Sequence, residues 1–435
     1  MSLNILVVGA GCAGPAFAHL LQKVSPSHNI TVIERFSSLR TGGQQIDLKS
    51  QGVPITKGMG ILPELKAACV HETGMQLVDK NGKSLMGFGI NSAATGQGFN
   101  LTNEYEIMRG DMVNVFYDGS IAERQKIEKN GGKEGSLTYK FNTTMTQFTQ
   151  TENGVDVTFS NGEKQHFDLV VAADGQNSRT RRTTFGDDIN EKSFRTLGIH
   201  GAYYNIPRLE SDDSDARIHF APGGRMIMTR TGDRPITQVY LFIMRDKARH
   251  EHFKSVHKLP LDQQKEEWAN TFKDAGWQCD RFMEGLKNTT DFYAHELGQV
   301  HMPKLYSGRV VLLGDAGYCP SPFTGMGTTL SLIGSYILAG ELAKHDKNIE
   351  AALQAYHELM QPPLEKYQRF FGGSNTGFYP SSQLGITVTN HVLWALSSLR
   401  VDKLMLWMGG WLPAKKDDWK MPVYPGLSLV EDTKE

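Results

Sequence analysis

The sequence predicts an α/β fold: a parallel sheet layered with helices, a second and mainly antiparallel β-sheet unit, and helices toward the C-terminal end. Three observations predict it. The N-terminus reads as strand, glycine turn, amphipathic helix and strand. Two further short apolar runs, near residues 170 and 310, stop abruptly at aspartate and glycine, as buried parallel strands do. Between about 186 and 290 the texture changes to short β-rich segments separated by turns. A chain of 435 residues has room for two or three units at roughly 150 residues each.

The first strand is Leu3 to Val8, an apolar run with β-branched residues. Gly9, Gly11 and Gly14 follow in G-A-G-C-A-G, and Ala13, Ala16, Phe17, Leu20, Leu21 and Val24 recur at helical spacing. A second strand, Ile30 to Ile33, stops at Glu34. Each part has a physical task. Gly9 permits the tight turn, Gly11 lets backbone approach a pyrophosphate, and Gly14 lets helix pack on strand. The helix N-terminus offers free N–H groups and positive dipole to phosphates. Glu34 can accept ribose hydroxyls and disfavours a phosphate there, which points to NAD or FAD over NADP. A Rossmann-like dinucleotide site is therefore expected. Arg35 is either a solvated surface arginine or a partner of the adenosine portion.

The middle of the chain reads D-L-V-V-A-A-D-G-Q-N-S-R-T-R-R: a strand over Asp168 to Ala173 broken by Asp174-Gly175. Alternation over Val155 to Ser160 and the turn Asn161-Gly162 predict a small β-meander before it. The arginines at 179, 181 and 182 read as a solvated face. Near residue 310, Val310 to Leu313 is a strand, Gly314-Asp315 stops it, and Gly325-Met326-Gly327 opens a helix through Leu330, Ile333, Ile337 and Leu338. An aspartate at a strand end suits ribityl hydroxyls, and a helix N-terminus can stabilise negative charge on a reduced flavin.

With these three motifs in this order and spacing, the chain resembles the class A FAD-dependent monooxygenases, which share the para-hydroxybenzoate hydroxylase fold. The resemblance covers roughly residues 1 to 370. G-G-Q-Q-I-D-L at 42 to 48, E-I-M-R-G-D-M at 106 to 112 and C-P-S-P-F-T-G are similar to the branch with the tetracycline-inactivating and polyketide-type enzymes. The resemblance implies FAD-binding roles for Gly9, Gly11, Ala13, Gly14, Glu34 and Arg35, for Asp47 and Arg109 near the flavin, and for Asp174 and Gly175. It implies the same for Asp315, Pro322, Gly325, Met326 and Gly327. It also implies NADPH or NADH as transient co-substrate, O2 as oxidant, and one oxygen atom delivered through a flavin hydroperoxide to an aromatic or polycyclic substrate. The outcome would be hydroxylation, epoxidation or Baeyer–Villiger oxidation. Tyr318 departs from the family, where histidine is common.

The rest of the chain supplies the second sheet. Leu197 to Ile206, Ala216 to Ala221, Arg225 to Thr231 and Gln238 to Arg245 read as strands of a substrate domain, joined by strands within Met75 to Gly89. Tyr203, Met226, Phe323 and Arg225 are pocket candidates. The first two could equally be sheet core, and Arg225 an exposed turn residue. Residues 119 to 136, polar and glycine-rich, are expected as a surface loop. His250 and His252, two apart, do not share a helical face and predict no metal. From about Ser374 an apolar helical pattern runs through Leu406, followed by Trp407 and Trp411. The expected domains are 1–74, 101–185 and 294–370 for FAD, 75–100 and 186–293 for substrate, and a helical element over 371–435.

Composition bounds these readings. Hydrophobic residues are 39% and charged residues 21%, a globular balance, and 46 basic against 47 acidic residues leave a net charge of −1. That excludes a nucleic-acid binder working through bulk charge. Cys12, Cys69, Cys279 and Cys319 fit no zinc or disulfide spacing and are expected as free thiols. The N-terminus lacks the basic flank and cleavage site of a signal peptide, and Val392 to Leu412 is interrupted by Arg400, Asp402 and Lys403, so no transmembrane segment is expected. A cytoplasmic protein, monomer or weak dimer, follows. With no Ser-His-Asp order, metal cluster or P-loop visible, the reactive centre should be the cofactor, and no catalytic side chain is assigned. An FAD-dependent reductase without oxygen insertion, or a flavoprotein that sequesters a ligand, remain the alternatives.

Overall fold

A computed structural model describes residues 2–40, 42–89, 105–244, 246–320, 322–346, 348–368, 382–398, 419–427 and 429. The strand Asn4–Val8 lies at the centre of a six-stranded sheet, paired in parallel with Asn29–Ile33 on one side and Leu169–Ala172 on the other. Ser136–Lys140 extends one edge in parallel, and Val310–Leu312 then Tyr306–Ser307 the other. Strands far apart in sequence thus become neighbours, and the three glycine- or aspartate-terminated strands lie side by side with their C-terminal ends together. The helices Ala13–Val24 and Gly327–His345 pack on this sheet, their apolar residues forming one core with Leu21, Phe116, Leu330, Ile333 and Tyr356. A three-stranded meander, Met145–Gln150, Val155–Phe159 and Lys164–Phe167, covers the other face.

The second sheet has seven strands in the order Tyr293–Val300, Phe194–Pro207, Ile236–Met244, Arg225–Arg230, Ala216–Ala221, Gly74–Val78 and Ser84–Gly89. It is antiparallel apart from the Ala216–Ala221/Gly74–Val78 pair. Its two faces bury different clusters. Ala202, Tyr204, Ile227, Leu241 and Ile243 pack under the helices Lys247–Val256, Leu261–Phe272 and Cys279–Asn288. Tyr203, Met226, Tyr240, Phe242 and Leu297 line the other face, as alternation along each strand requires. A short antiparallel ribbon, Gln45–Asp47 with Glu106–Met108, lies between the sheets.

Three expectations change. Residues 119–129 are not loop but the second half of a helix, Arg109–Lys129. Its buried stripe runs Met112, Phe116, Ser120, Arg124, four residues apart, and the last two are polar. The periodicity is present, but no hydrophobic scan registers a serine and an arginine as core. Arg124 is satisfied there by Glu128, Pro26 O and Glu134 O. Second, Arg225 is not an exposed turn residue: it is 5% exposed within a strand, shares the helix-covered face with Ile227, and its guanidinium donates to Pro222 O, Thr271 O and Asp274. That places it away from the aromatic face expected to form the pocket. Third, the break expected at 293/294 falls at the start of the strand Tyr293–Val300, and the break at 185/186 falls inside the helical stretch Arg179–Ser193, at its kink Gly186.

Beyond residue 381 the helix Gln383–Ser398 lies against Ser84–Gly89 and leaves Leu384, Val388, Val392 and Trp394 exposed. Trp407 and Trp411 lie outside the described residues. The segment around Tyr424 returns to the first unit. Its ring covers Gly340, its hydroxyl donates to Glu341 at 2.7 Å, and Tyr336 donates to Pro422 O and Leu427 O, each at 3.1 Å. Cys12, Cys69, Cys279 and Cys319 form no disulfide, and among the described residues no helix is long and apolar enough to cross a membrane.

Candidate flavin site

The first two motifs meet through glycine. Gly9 has φ +109°, and a Cβ there would fall 2.6 Å from Ala173 O, the residue before Asp174-Gly175. Gly14 packs tighter still: its Cβ would lie 2.1 Å from Gly9 O. Gly11 differs in kind. A Cβ there would meet nothing nearer than the Arg109 guanidinium at 3.7 Å, so packing within the protein does not call for a glycine here. No side chain caps the helix that starts at Ala13, leaving its N–H groups directed at the same space. Glu34 is oriented from behind: Ala10 N donates to one carboxylate oxygen at 3.0 Å and Phe36 N to the other at 3.2 Å. The remaining lone pairs can take ribose hydroxyls. Arg35 is exposed beside the Phe36 ring.

The third motif closes the other end. Gly314, φ +65°, has the Ala13 methyl 3.1 Å from its would-be Cβ, so the Gly327 and Ala13 helices approach through small residues. Asp315 is half-buried there. Burial pushes its carboxyl above the usual range, while Arg109 and Cys319 pull the other way. Burial likewise raises the Cys12 thiol, which fits a packing residue and not a reactive thiolate. Gly325, φ +58°, lies over the Asp47–Lys49 pair, with Asp47 Oδ2 2.5 Å from its would-be Cβ. Thr329 donates to Lys49 O at 2.8 Å. Met326 is buried at the start of the Gly327–His345 helix, whose N-terminus also lacks a side-chain cap. Pro322 begins a single turn of 3-10 helix, Pro322–Thr324.

Asp47, Arg109, Asp315, Gly11 and Gly325 are thus gathered together, and the set fits a flavin dinucleotide: open space over Gly11, two uncapped helix N-termini, an acidic residue at the second strand's end and a half-buried aspartate at the last. Asp174 lies beside the first turn, its Cα 3.2 Å from the would-be Cβ of Gly9. Its carboxylate accepts from Ser178 Oγ at 2.5 Å and from Thr180 N and Oγ1 at 3.1 and 3.0 Å, which anchors the start of the helical stretch from Arg179. Gly175 beside it has φ +82° and no neighbour within 4 Å of a would-be Cβ.

Two residues escaped the sequence reading. Arg181, in the cluster expected to be solvated, is 3% exposed and donates to Ala316 O, Gln176 O and Asn190, tying the second motif to the third. Arg179 and Arg182 are exposed as expected. Arg230 is buried against Glu72 and Glu106; no spacing in the sequence announces a pairing across 158 and 124 residues. Tyr318, where the family often has histidine, is a core residue: its ring packs over Gly334 and its hydroxyl meets Tyr356 at 3.1 Å.

The second sheet presents an aromatic face. Tyr203 contacts Tyr240, Phe242 and Tyr293 at ring separations of 5.2, 5.8 and 4.9 Å, and Phe323, from the third motif's loop, comes within 6.2 Å of Phe242. Met226 belongs to the same cluster. This aromatic face, with Phe323 from the flavin-side loop packed against it, is the apolar surface nearest the third motif.

Known proteins give the family. A family model described as FAD binding domain matches residues 2–370. The FAD-dependent monooxygenase asL6 of Sarocladium schorii is 37% identical, covering 99% of this chain and all of its own. The flavin-dependent monooxygenase eupH of a Phoma species is 33% identical over 83% of this chain and 84% of its own. Among solved structures, the tetracycline destructase Tet(51) superposes with a TM-score of 0.72 at 26% identity, covering 96% of this chain and 100% of its own. The chain belongs to the FAD-dependent monooxygenases.

Proposed function

We propose that this monooxygenase uses NADPH or NADH and O2 to place one oxygen atom on a flat aromatic or polycyclic, polyketide-like substrate held between the two sheets. The observation that carries this reading is the aromatic face of Tyr203, Met226, Tyr240, Phe242 and Tyr293, opposed by Phe323 from the flavin-side loop. FAD, when bound, supplies the redox chemistry and the activation of oxygen. The chain's own residues supply position and electrostatics. Glu34 would hold the adenosine ribose, the Ala13 helix and Arg109 the pyrophosphate, Asp315 the ribityl chain, and Asp47 with the Gly325–Gly327 turn the ring. The flavin-binding unit then comprises residues to about 74, 105–193 and 301–368, with the seven-stranded sheet inserted. The protein would act in the cytoplasm as a monomer or weak dimer.

The test is a substrate panel on purified FAD-loaded protein, starting with tetracyclines, hydroxyanthraquinones and simpler phenols. Substrate should stimulate NADPH oxidation and O2 uptake together and yield a product heavier by one oxygen atom. Stimulated NADPH oxidation with a reduced product and no O2 uptake would instead identify a reductase. Binding without turnover across the panel would identify a sequestering flavoprotein.

A further inference from the structure

Along the strand Tyr293–Val300, alternate residues face the flavin-side loops, and three of them have defined partners. The Tyr293 hydroxyl donates to the Gln44 side-chain oxygen, Leu297 packs in the aromatic cluster, and the Gln299 amide donates to Pro320 O at 2.9 Å. The fourth is His295, between the loop before the ribbon and the loop that carries Phe323. Its ring is nearly parallel to those of Tyr293 (5.7 Å, 7°) and Tyr203 (5.7 Å, 24°). It is half-buried, and neither ring nitrogen has a hydrogen-bond partner among the described residues or is sealed inside the protein. Two tyrosines of the same face are partnered: Tyr240 accepts from Gln45 N and donates to Gln238, and Tyr293 donates to Gln44.

The charge state follows from the surroundings. Burial lowers the His295 pKa to about 4, and His257, Arg109, His200 and Arg40 add to the effect. A neutral imidazole carries one N–H donor and one bare acceptor nitrogen. A hydroxyl, itself donor and acceptor, can satisfy either. A hydrocarbon edge leaves both unpaired in a partly desolvated site. The parallel tyrosine rings set the shape of what lies beside it.

We propose that His295 is a substrate-recognition residue whose imidazole hydrogen-bonds a phenolic or enolic hydroxyl of a flat aromatic substrate lying against Tyr203 and Tyr293. This rests on the monooxygenase reading of the same aromatic face. It narrows the substrate class to aromatics bearing a hydroxyl, and it makes His295 the group that fixes which edge of the ring system faces the flavin. A site built around a hydrogen bond rejects an isostere that lacks it far better than an apolar pocket rejects an extra hydroxyl.

The experiment compares two isosteric probes, 1-naphthol and 1-methylnaphthalene, titrated into the FAD-loaded full chain and followed through the flavin absorption bands. Wild type should bind 1-naphthol at least about tenfold more tightly, the loss expected from one unmade hydrogen bond. His295→Phe keeps a stacking ring without the nitrogens and should erase the preference or reverse it. His295→Gln keeps a donor and an acceptor and should retain part of it. Should His295→Phe not load flavin, His295→Ala is judged by the same criterion. A flavin-loaded Phe or Ala variant with the wild-type preference overturns the proposal, as does a wild type that prefers neither probe or binds neither. The reading beneath it fails separately: binding preference is measured without turnover, whereas the oxygenase reading falls if no panel substrate stimulates O2 uptake.

Discussion

At the scale of single residues, the glycines of the first turn divide into two kinds, and the division is measurable. Gly9 and Gly14 are required by protein: would-be Cβ atoms meet Ala173 O at 2.6 Å and Gly9 O at 2.1 Å. Gly11 is not required by protein packing, its would-be Cβ reaching only Arg109 at 3.7 Å, which leaves a bound cofactor as the expected reason for it. Gly11→Val is therefore expected to leave the cofactor-free protein within about 0.5 kcal/mol of wild type and to purify colourless. Gly14→Val should lower stability itself, by about 1–3 kcal/mol as overpacking does. Urea melts of the cofactor-free proteins beside flavin content per chain separate the two, and a yellow Gly11→Val protein would contradict the placement. These glycines were legible because a tight turn leaves its signature within six residues of sequence. Arg181 and His295 were not. Their roles come from Ala316 O, 135 residues away, and from rings on a neighbouring strand. Arg225 misled for the same reason: sequence alternation places it next to Met226 without saying which face the helices cover.

Among elements, the Gln45–Asp47/Glu106–Met108 ribbon matters most, because it carries Asp47 and leads directly into Arg109. It has too few strands to be stable alone. Its position is fixed by the second sheet: Arg230 bonds Glu72 at 2.9 and 2.6 Å and also Glu106, Gln45 Nε2 donates to Glu106, Gln45 N donates to Tyr240 Oη at 2.8 Å, and Gln238 donates to Gly43 O at 3.0 Å. The glutamates and the arginine are all buried. Removing one partner of such a group leaves unpaired charge in a dry site, at about 3–5 kcal/mol. Arg230→Met should therefore show that loss in urea melts, and it should also release FAD faster, read as recovery of free-flavin fluorescence after dilution. Lost stability with an unchanged release rate would mean that the network holds the fold but does not position the flavin contacts. None of this was visible in sequence, where Glu72, Glu106 and Arg230 read as ordinary charged residues. The helix Arg109–Lys129 was missed through a related blind spot: its inner face ends in Ser120 and Arg124, satisfied by hydrogen bonds instead of apolar contact. By contrast, the inner strands of both sheets were legible nearly to the residue, since burial on a sheet writes directly into apolar runs and alternation, whereas the edge strands Ser136–Lys140, Tyr306–Ser307 and Tyr293–Val300 were not read as strands at all.

Across the whole molecule, histidines set the response to acid. His200 links to His257 at 2.8 Å and to His250 at 2.9 Å, joining the Lys247–Val256 helix to the long strand Phe194–Pro207. Burial lowers the pKa values of His200, His257, His295 and His301 to about 4. In the unfolded chain a histidine titrates near about 6.5. Between those values the unfolded state holds more protons than the folded one, so stability is complete above about pH 6.5 and declines as pH falls toward 4. Carboxylates act in other windows. Asp274, held low by its hydrogen bond from Arg225, loses its contribution only near and below about pH 4. Asp291 and Asp315, raised by burial, work in the opposite sense, because the folded protein takes up their protons first and gains stability on acidification. The histidine effect should prevail, with four groups against two. One histidine can contribute up to about 2 kcal/mol between pH 6.5 and 5; allowing for coupling within the cluster and partial exposure, the whole should lose on the order of 3 kcal/mol. Urea melts at pH 7.5, 6 and 5 with FAD in constant excess, so that cofactor binding does not shift with protein concentration, should give midpoints that fall steadily. His257→Gln keeps a polar partner for His200 while removing one titrating group, and it should flatten the slope. Midpoints that hold steady or rise from pH 7.5 to 5 would show that Asp291 and Asp315, not the histidines, govern this protein's acid response.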